Sequence, residues 1–109
     1  MTPAKVVVLR NEREGRDSRY LEAYLDDQGS LRIDGHDLGP ATTVVSPDGE
    51  YEWGRIVRAE HLPELLQLLG GKAGDDILEL LERRWSGPRS GELEQVLRDC
   101  SIPIALFVR

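Results

Sequence analysis

The feature that most constrains the fold of this chain is an alternation of apolar and polar residues on both sides of a turn-rich segment at residues 26–29. Successive side chains of a β-strand point to opposite faces, so a period of two predicts two strands with one buried face each. The turn sequence Asp-Asp-Gln-Gly favours chain reversal, because Gly29 adopts positive φ without steric cost. The segment therefore predicts a β-hairpin with a loop of about four residues. Its apolar set is Leu21, Ala23, Leu25, Leu31 and Ile33, and its polar set is Tyr20, Glu22, Tyr24, Arg32 and Asp34.

Further strands are predicted on either side of this hairpin. β-Branched and aromatic residues in short runs favour strands, whereas clusters of Gly, Pro, Asp and charged residues favour turns and loops. In the longest candidate strand, Tyr51, Trp53, Arg55 and Val57 share one face. By these patterns, strands are expected at residues 5–10, 41–45 and 51–59, a loop at 11–18, and tight turns at 34–40 and 46–49.

The hydrophobic period then changes from 2 to 3.6. Leucines at i, i+3, i+4 and i+7 from Leu62 predict a first helix. Asp75 is expected to cap a second helix and Ser90 a third, because such side chains accept hydrogen bonds from first-turn amides. Residues 104–108, IALFV, predict a closing strand. Their continuous apolar character predicts an interior position near the first strand, covered on both faces.

The order ββββ(β)αααβ predicts an α+β fold rather than alternating α/β units. A chain of 109 residues is expected to form a single domain, residues 1–109, with one hydrophobic core. The expected architecture is a four- to five-stranded, mainly antiparallel sheet with about three helices packed on one face.

Composition indicates a soluble, cytoplasmic protein. Cys100 is the only cysteine, so no internal disulfide can form. The apolar run at residues 6–9 is shorter than the roughly 7–15 residues of a secretory signal, and no segment is long enough to span a membrane. The net charge is −6, and residues 20–82 hold four basic against fourteen acidic residues. Such charge disfavours nucleic acid and favours a basic protein partner.

No sequence motif for catalysis, phosphate binding or a cofactor is present, so no catalytic residue, metal ligand or cofactor is assigned. Cys100 lies on the apolar stripe of the third helix, which predicts a buried thiol. Arg10, Arg13, Arg16 and Arg19 recur every third residue, but intervening acids neutralise them. The polar cluster at residues 34–37 contains His36 and Asp37, a pair able to bind a small ligand or a divalent cation. Asp and Gly also suit a turn for backbone reasons alone.

Aromatic residues interleaved with acids form a second candidate site. Tyrosine and tryptophan are enriched in protein interfaces, and acidic neighbours suit a basic partner. The alternative is that these aromatic residues pack in the core. The predicted contact residues are Tyr20, Glu22, Tyr24, Glu52 and Trp53.

The segments LEAYLDDQGSLRIDGHDLGP, GEYEW, LPELLQLLGG, LERRW and LRDCSIPIALFV resemble those of a group of small actinobacterial proteins of unknown function. The resemblance covers nearly the whole chain and implies no activity or functional residue. In size and acidity the chain is also similar to small immunity proteins that neutralise toxins in bacterial competition.

Three hypotheses follow from these patterns. The first is a non-enzymatic binding protein with an immunity-like or antitoxin-like role, which contacts a protein partner through its aromatic and acidic residues. The second is a small-ligand or metal-binding module, or a small enzyme, centred on His36 and Asp37. The third is a structural protein that self-associates as a homodimer through an exposed strand edge or helix face.

Overall fold

The computed structural model describes residues 5–39 and 49–108. Within these ranges, a five-stranded antiparallel sheet and three α-helices confirm the α+β class. The strand expected at residues 41–45, and most of the turn expected at 46–49, lie outside the described residues. No described helix is long and apolar enough to cross a membrane. The strands are β1 (Val6–Glu14), β2 (Asp17–Leu25), β3 (Leu31–Leu38), β4 (Glu50–Val57) and β5 (Ala105–Val108), and the helices are α1 (Leu62–Leu68), α2 (Ile77–Arg84) and α3 (Ser90–Asp99).

The strands lie in chain order across the sheet, β1-β2-β3-β4-β5, and every neighbouring pair is antiparallel. The hairpin predicted around residues 26–29 is present, with Leu25 opposite Leu31. Gly29 has a φ of 77° and donates its amide to the Asp26 carbonyl at 2.9 Å. The positive φ explains why glycine occupies this position.

Two segments predicted as connections are strands. Residues 11–14 continue β1 to a two-residue turn, where Gly15 has a φ of 61°, and β2 begins at Asp17. Residues 34–38 belong to β3, which pairs with β2 on one side and β4 on the other. Local turn preference is weak, and hydrogen bonding to neighbouring strands outweighs it. The predicted loop at 11–18 is therefore wrong except at the turn of residues 15–16, and the predicted turn at 34–40 is wrong for residues 34–38.

The closing strand is present, but its predicted position is wrong. β5 pairs with β4 at the edge of the sheet farthest from β1, rather than lying inside the sheet or near the first strand. Leu106 and Val108 are 60% and 55% exposed. The apolar run therefore reflects an uncovered edge and not burial on both faces.

The helix starts differ from the predicted caps. Asp76, not Asp75, caps α2, and its Oδ1 accepts hydrogen bonds from the amides of Leu78 and Glu79 at 2.9 and 3.3 Å. Asp75 instead accepts from the Lys72 amide at 2.8 Å. Ser90 is the first residue of α3, and its hydroxyl donates to the Gly87 carbonyl at 2.7 Å. The cap of α2 lies one residue after the predicted Asp75, and the N-cap position of α3 lies one residue before the predicted Ser90. Helix ends are the positions that are assigned least precisely.

All three helices pack on one side of the sheet, here called the inner face; the opposite side is the outer face. Helix residues and inward-facing strand residues form a single hydrophobic cluster. Burial of this cluster is the main driving force for folding. Its fully buried leucine, isoleucine and valine side chains are Val7, Leu9, Leu21, Leu31, Ile33, Val57, Leu65, Leu81 and Leu93.

Three charged side chains are also largely buried between α3 and the inner face. Glu94 of α3 accepts a hydrogen bond from Arg10 Nη2 at 2.8 Å, and its other oxygen lies 3.5 Å from Arg55 Nη1. Arg10 Nε donates to the Ser90 hydroxyl at 2.9 Å. The Glu94 side chain is only 14% exposed. A buried charge is tolerated when it is paired, so this cluster ties α3 to β1 and β4.

Asp37 lies beside this cluster on the inner face of β3. Its Oδ1 atom is buried and makes no hydrogen bond within the described residues. Burial raises the pKa of Asp37 above its ordinary value, and the positive charges of Arg19 and Arg10 offset this only in part. Asp37 therefore ionises at a lower pH in the unfolded chain than in the folded protein. The folded state therefore loses stability as the pH rises from about 4 through the raised pKa.

Replacing Glu94 with Gln is expected to lower the free energy of unfolding by about 3 kcal/mol, because it leaves two guanidinium groups without their buried counter-charge. The matched control is Glu92→Gln on the same helix, where the side chain is 63% exposed. Its expected change is below about 0.5 kcal/mol. Urea unfolding followed by circular dichroism measures both. Equal effects of the two variants would show that the buried cluster does not hold α3.

Replacing Asp37 with Asn is expected to raise the melting temperature at neutral pH, because it removes a partly buried charge with incomplete compensation. The gain should shrink as the pH falls through the raised pKa and vanish below about 4, where Asp37 is protonated in both folded and unfolded chains. Calorimetric scans across this pH range measure the change, with Asp27→Asn in the exposed hairpin turn as control. A lower melting temperature for Asp37→Asn at neutral pH would mean that the arginines dominate.

Candidate functional site

Four carboxylates, two tyrosines and a histidine gather on the outer face of the three central strands. Side chains directly opposite each other in antiparallel strands share a face. The register pairs Tyr20 with His36, Glu22 with Asp34, and His36 with Glu52. The set is called here the acidic patch, and it consists of Tyr20, Glu22, Tyr24, Asp34, His36, Glu50 and Glu52.

Both tyrosine rings of the acidic patch are held by neighbouring carboxylates. The Tyr20 hydroxyl donates to Glu22 Oε2, and the Tyr24 hydroxyl donates to Asp34 Oδ2, each at 3.2 Å. Burial, followed by the negative charges of these partners, raises the pKa of Tyr20 and of Tyr24. The two phenols therefore stay protonated at neutral pH and keep their hydroxyl hydrogens pointed at the carboxylates.

His36 lies between two glutamates of β4. Its Nε2 atom is 3.0 Å from Glu50 Oε1 and 3.6 Å from Glu52 Oε1. Imidazole and carboxylate groups at these distances form hydrogen bonds or ion pairs, and they are also ligand types for divalent metals. In the described ranges, this is the one group of three or more metal-ligating side chains whose donor atoms lie within 4.8 Å of one another.

A cavity of about 250 Å³ opens beside His36 on the outer face. Its lining includes Tyr20, Glu22, Asp34, Glu52 and Phe107. The Asp34 Oδ1 atom is buried and makes no hydrogen bond within the described part of the chain. A small, polar cavity with an unused acceptor suits water or a small polar ligand better than a large apolar one.

The structure brings four of the five predicted contact residues together. Tyr20, Glu22, Tyr24 and Glu52 all belong to the acidic patch. Trp53 points to the inner face, where it is 8% exposed and stacks with Tyr51 at a centroid distance of 5.2 Å. Its indole ring occupies the space above Gly35, where any side chain would collide with it. Trp53 is therefore a core residue of the described structure.

The predicted pair His36 and Asp37 is not brought together. The two residues are consecutive in β3, so their side chains leave opposite faces of the sheet. His36 joins the acidic patch, and Asp37 lies near Arg19 and Arg10 on the inner face. A single ligand or substrate on one face cannot contact both side chains.

Glu50 and Asp34 are members of the patch that were not among the predicted contact residues. For Glu50 the sequence does give an indication: acidic and aromatic residues alternate from Glu50 to Glu52, as expected for a strand with Glu50 and Glu52 on one face. Nothing in the sequence indicates that β4 lies beside β3 in the register that places His36 opposite Glu52. That neighbour relation is a property of the sheet.

The remaining candidates are dispersed. Arg10 is buried beneath α3, Arg13 lies on the outer side of β1, and Arg16 lies in the turn, so the arginine series forms no common surface. Cys100 is partly buried at the end of α3 and donates weakly to the Leu97 carbonyl at 3.5 Å. His61 directly precedes α1, and no sequence motif pairs it with the other histidine or with the thiol.

A larger cleft of about 810 Å³ lies between α1, α2 and the end of β2. Its lining is mostly apolar and includes Leu25, Leu62, Leu66 and Ile77. It contains neither histidine nor cysteine, and its two carboxylates accept hydrogen bonds from backbone amides at the start of α2. The titratable residues that line this cleft are Lys5, Asp75 and Asp76.

Comparison with known proteins assigns the chain to no group. No family model, no curated protein and no solved structure matches it. The expected relation to small actinobacterial proteins of unknown function stays a prediction. What the acidic patch does has to be inferred from its own geometry.

Proposed function

We propose that this protein is a non-enzymatic binding protein that recognises a basic protein partner through the acidic patch. An immunity-like or antitoxin-like role, in which a small acidic protein covers a basic toxin, is one concrete version. The observation that carries the proposal is the gathering of Glu22, Asp34, Glu50 and Glu52 around two tyrosines on the outer face.

The size of the outer face supports a modest interface. With strands about 4.8 Å apart and about 3.3 Å per residue, five strands of up to eight or nine residues span roughly 600 Å². Small or transient protein interfaces bury about 600 Å² per partner, and stable ones about 800 Å². The outer face is thus sufficient for an interface whose affinity depends on charge as well as contact area.

The tyrosines supply rigid contact area. The hydroxyl of each tyrosine donates a hydrogen bond to a carboxylate at 3.2 Å, and both tyrosines belong to β2, which pairs with β1 and β3. Binding therefore has little side-chain freedom left to remove, which lowers the entropic cost of association. Tyrosine also presents an apolar ring and a polar tip, and both suit an interface that is partly wet.

The charge of the patch supports a basic partner. Arg32, which lies opposite Tyr24 on the same face, forms its ion pair with Asp26 at 3.1 Å and not with a patch carboxylate. Residues 20–82 carry a net charge of −10. A negative field of this kind accelerates encounter with a positive surface and is weakened by salt.

The test removes charge from the patch without touching His36, Glu50 or Glu52. Glu22→Gln with Asp34→Asn is expected to weaken partner binding at least tenfold, which is about 1.4 kcal/mol, mainly through slower association. The matched control is Glu79→Gln with Glu82→Gln on the exposed side of α2, which removes the same charge. A partner is isolated by affinity capture with the wild-type chain, and its kinetics are measured at low and high salt.

Retained binding by the control and loss by the patch variant support the proposal. If every captured protein binds both double variants as tightly as the wild type, the acidic patch is not the contact surface. If captured proteins bind equally well at high salt, the electrostatic part of the proposal is wrong.

A specific observation at the sheet edge favours self-association as a second candidate. Edge strands are normally protected by charges, bulges or Pro. β1 has a bulge between Val8 and Arg10 and several charged residues, whereas β5 is uncharged over Ala105–Val108 and exposes Leu106. An antiparallel pairing of two β5 strands would extend the sheet across a homodimer.

Replacing Leu106 with Lys is expected to abolish any concentration-dependent dimer, since a charge on an edge strand opposes pairing. The control is Leu68→Lys on α1, where the leucine is 49% exposed. Light scattering after size-exclusion chromatography at two protein concentrations measures the mass. A wild-type chain that stays monomeric at both concentrations removes this candidate.

A further inference from the structure

His36, Glu50 and Glu52 form a three-donor group within the acidic patch on the outer face. We propose that these residues bind one divalent transition-metal ion of the zinc type. The inference is independent of the proposed partner, because it concerns a ligand of a different chemical class.

The sheet itself positions the three donors. His36 of β3 lies directly opposite Glu52 of β4, and Glu50 is two residues before Glu52 on the same face. At these positions β3 pairs with both β2 and β4, and β4 pairs with β3 at Glu50 and Glu52 and with β5 from Trp53 onward. Ligands that project from paired strands are held more precisely than ligands on loops.

The distances between donor atoms match a zinc-sized ion. Zinc binds histidine nitrogen and carboxylate oxygen at about 2.0–2.2 Å in a tetrahedral arrangement, which places donors roughly 3.3–3.5 Å apart. His36 Nε2 is 3.0 Å from Glu50 Oε1 and 3.6 Å from Glu52 Oε1. All three donor atoms lie within 4.8 Å of one another. Small side-chain rotations would bring the set to the required spacing.

The donor types select among metals. Imidazole is a ligand type that suits zinc, copper, iron and nickel, and zinc also binds carboxylate oxygen. Calcium requires about 6–8 oxygen ligands, and magnesium prefers oxygen ligands at octahedral positions, so both fit this set less well. Two carboxylates would also balance the double positive charge of the ion.

The surroundings leave room for further ligands. The side chains of His36, Glu50 and Glu52 are 35%, 45% and 36% exposed, so the ion would keep at least one position open to water. The adjacent cavity is lined by Asp34 and Glu22 as well as by His36 and Glu52, so its walls are rich in polar groups.

The test compares zinc titrations of the wild-type chain and of two histidine variants. The wild-type chain is expected to bind one zinc ion by calorimetry and to melt at a higher temperature with zinc present. His36→Gln should lose this stoichiometric binding, whereas His61→Gln should retain it. Cobalt added in place of zinc should give a visible absorption band that is lost in His36→Gln.

Each outcome is decisive for the site. Equal isotherms for wild type and His36→Gln, or no calorimetric binding to the wild type, would show that the His36–Glu50 contact is only a hydrogen bond. Glu22→Gln with Asp34→Asn keeps all three proposed ligands, so it should still bind zinc. Loss of partner binding in that variant with zinc binding intact would separate the two proposals.

Discussion

The pairing of β3 with both β2 and β4 is the constraint on which the rest of the structure depends. Antiparallel hydrogen bonding on both sides fixes which residues stand opposite one another, and strand alternation then assigns each to a face. Through this register, Ile33 and Gly35 face the helices, while Asp34 and His36 face outward. A slip of one residue would exchange the two sets and bury the acidic patch.

The two faces of the sheet hold their charges in different ways. On the inner face, Glu94 lies between Arg10 and Arg55, so opposite charges are matched inside the fold. On the outer face, carboxylates lie near hydroxyl and imidazole groups. The inner charges thus position α3, and the outer charges define the surface on which binding is proposed.

Two kinds of ligand are proposed for the outer face. Its tyrosines and carboxylates are the surface on which a protein partner is proposed, and His36 with Glu50 and Glu52 is the proposed ion site. The two proposed uses are compatible, because an exposed metal with an open position is also able to accept a ligand from a bound partner. Asp34 lies beside both, since its Oδ2 accepts a hydrogen bond from Tyr24 and the residue lines the cavity beside His36.

Local patterns determined much of this protein. The period of two around residues 20–34 and the period of 3.6 after residue 61 predicted the hairpin, the helices and the α+β class, because side-chain periodicity follows directly from backbone geometry. The same alternation placed Tyr20, Glu22 and Tyr24 on one face. These features depend on residues close in the chain.

Only the tertiary structure decided where distant segments meet. The turn-like sequence around His36 became a central strand because neighbours on both sides hydrogen-bond to it, and this separated His36 from Asp37. Trp53 became a core residue because Gly35 leaves space for its ring, and β5 became an edge because the sheet follows chain order. The sequence by itself determined periodicity and turn chemistry, which are local. The grouping of His36 with Glu50 and Glu52, and of Glu94 with two arginines, required long-range register and packing, which no local pattern encodes.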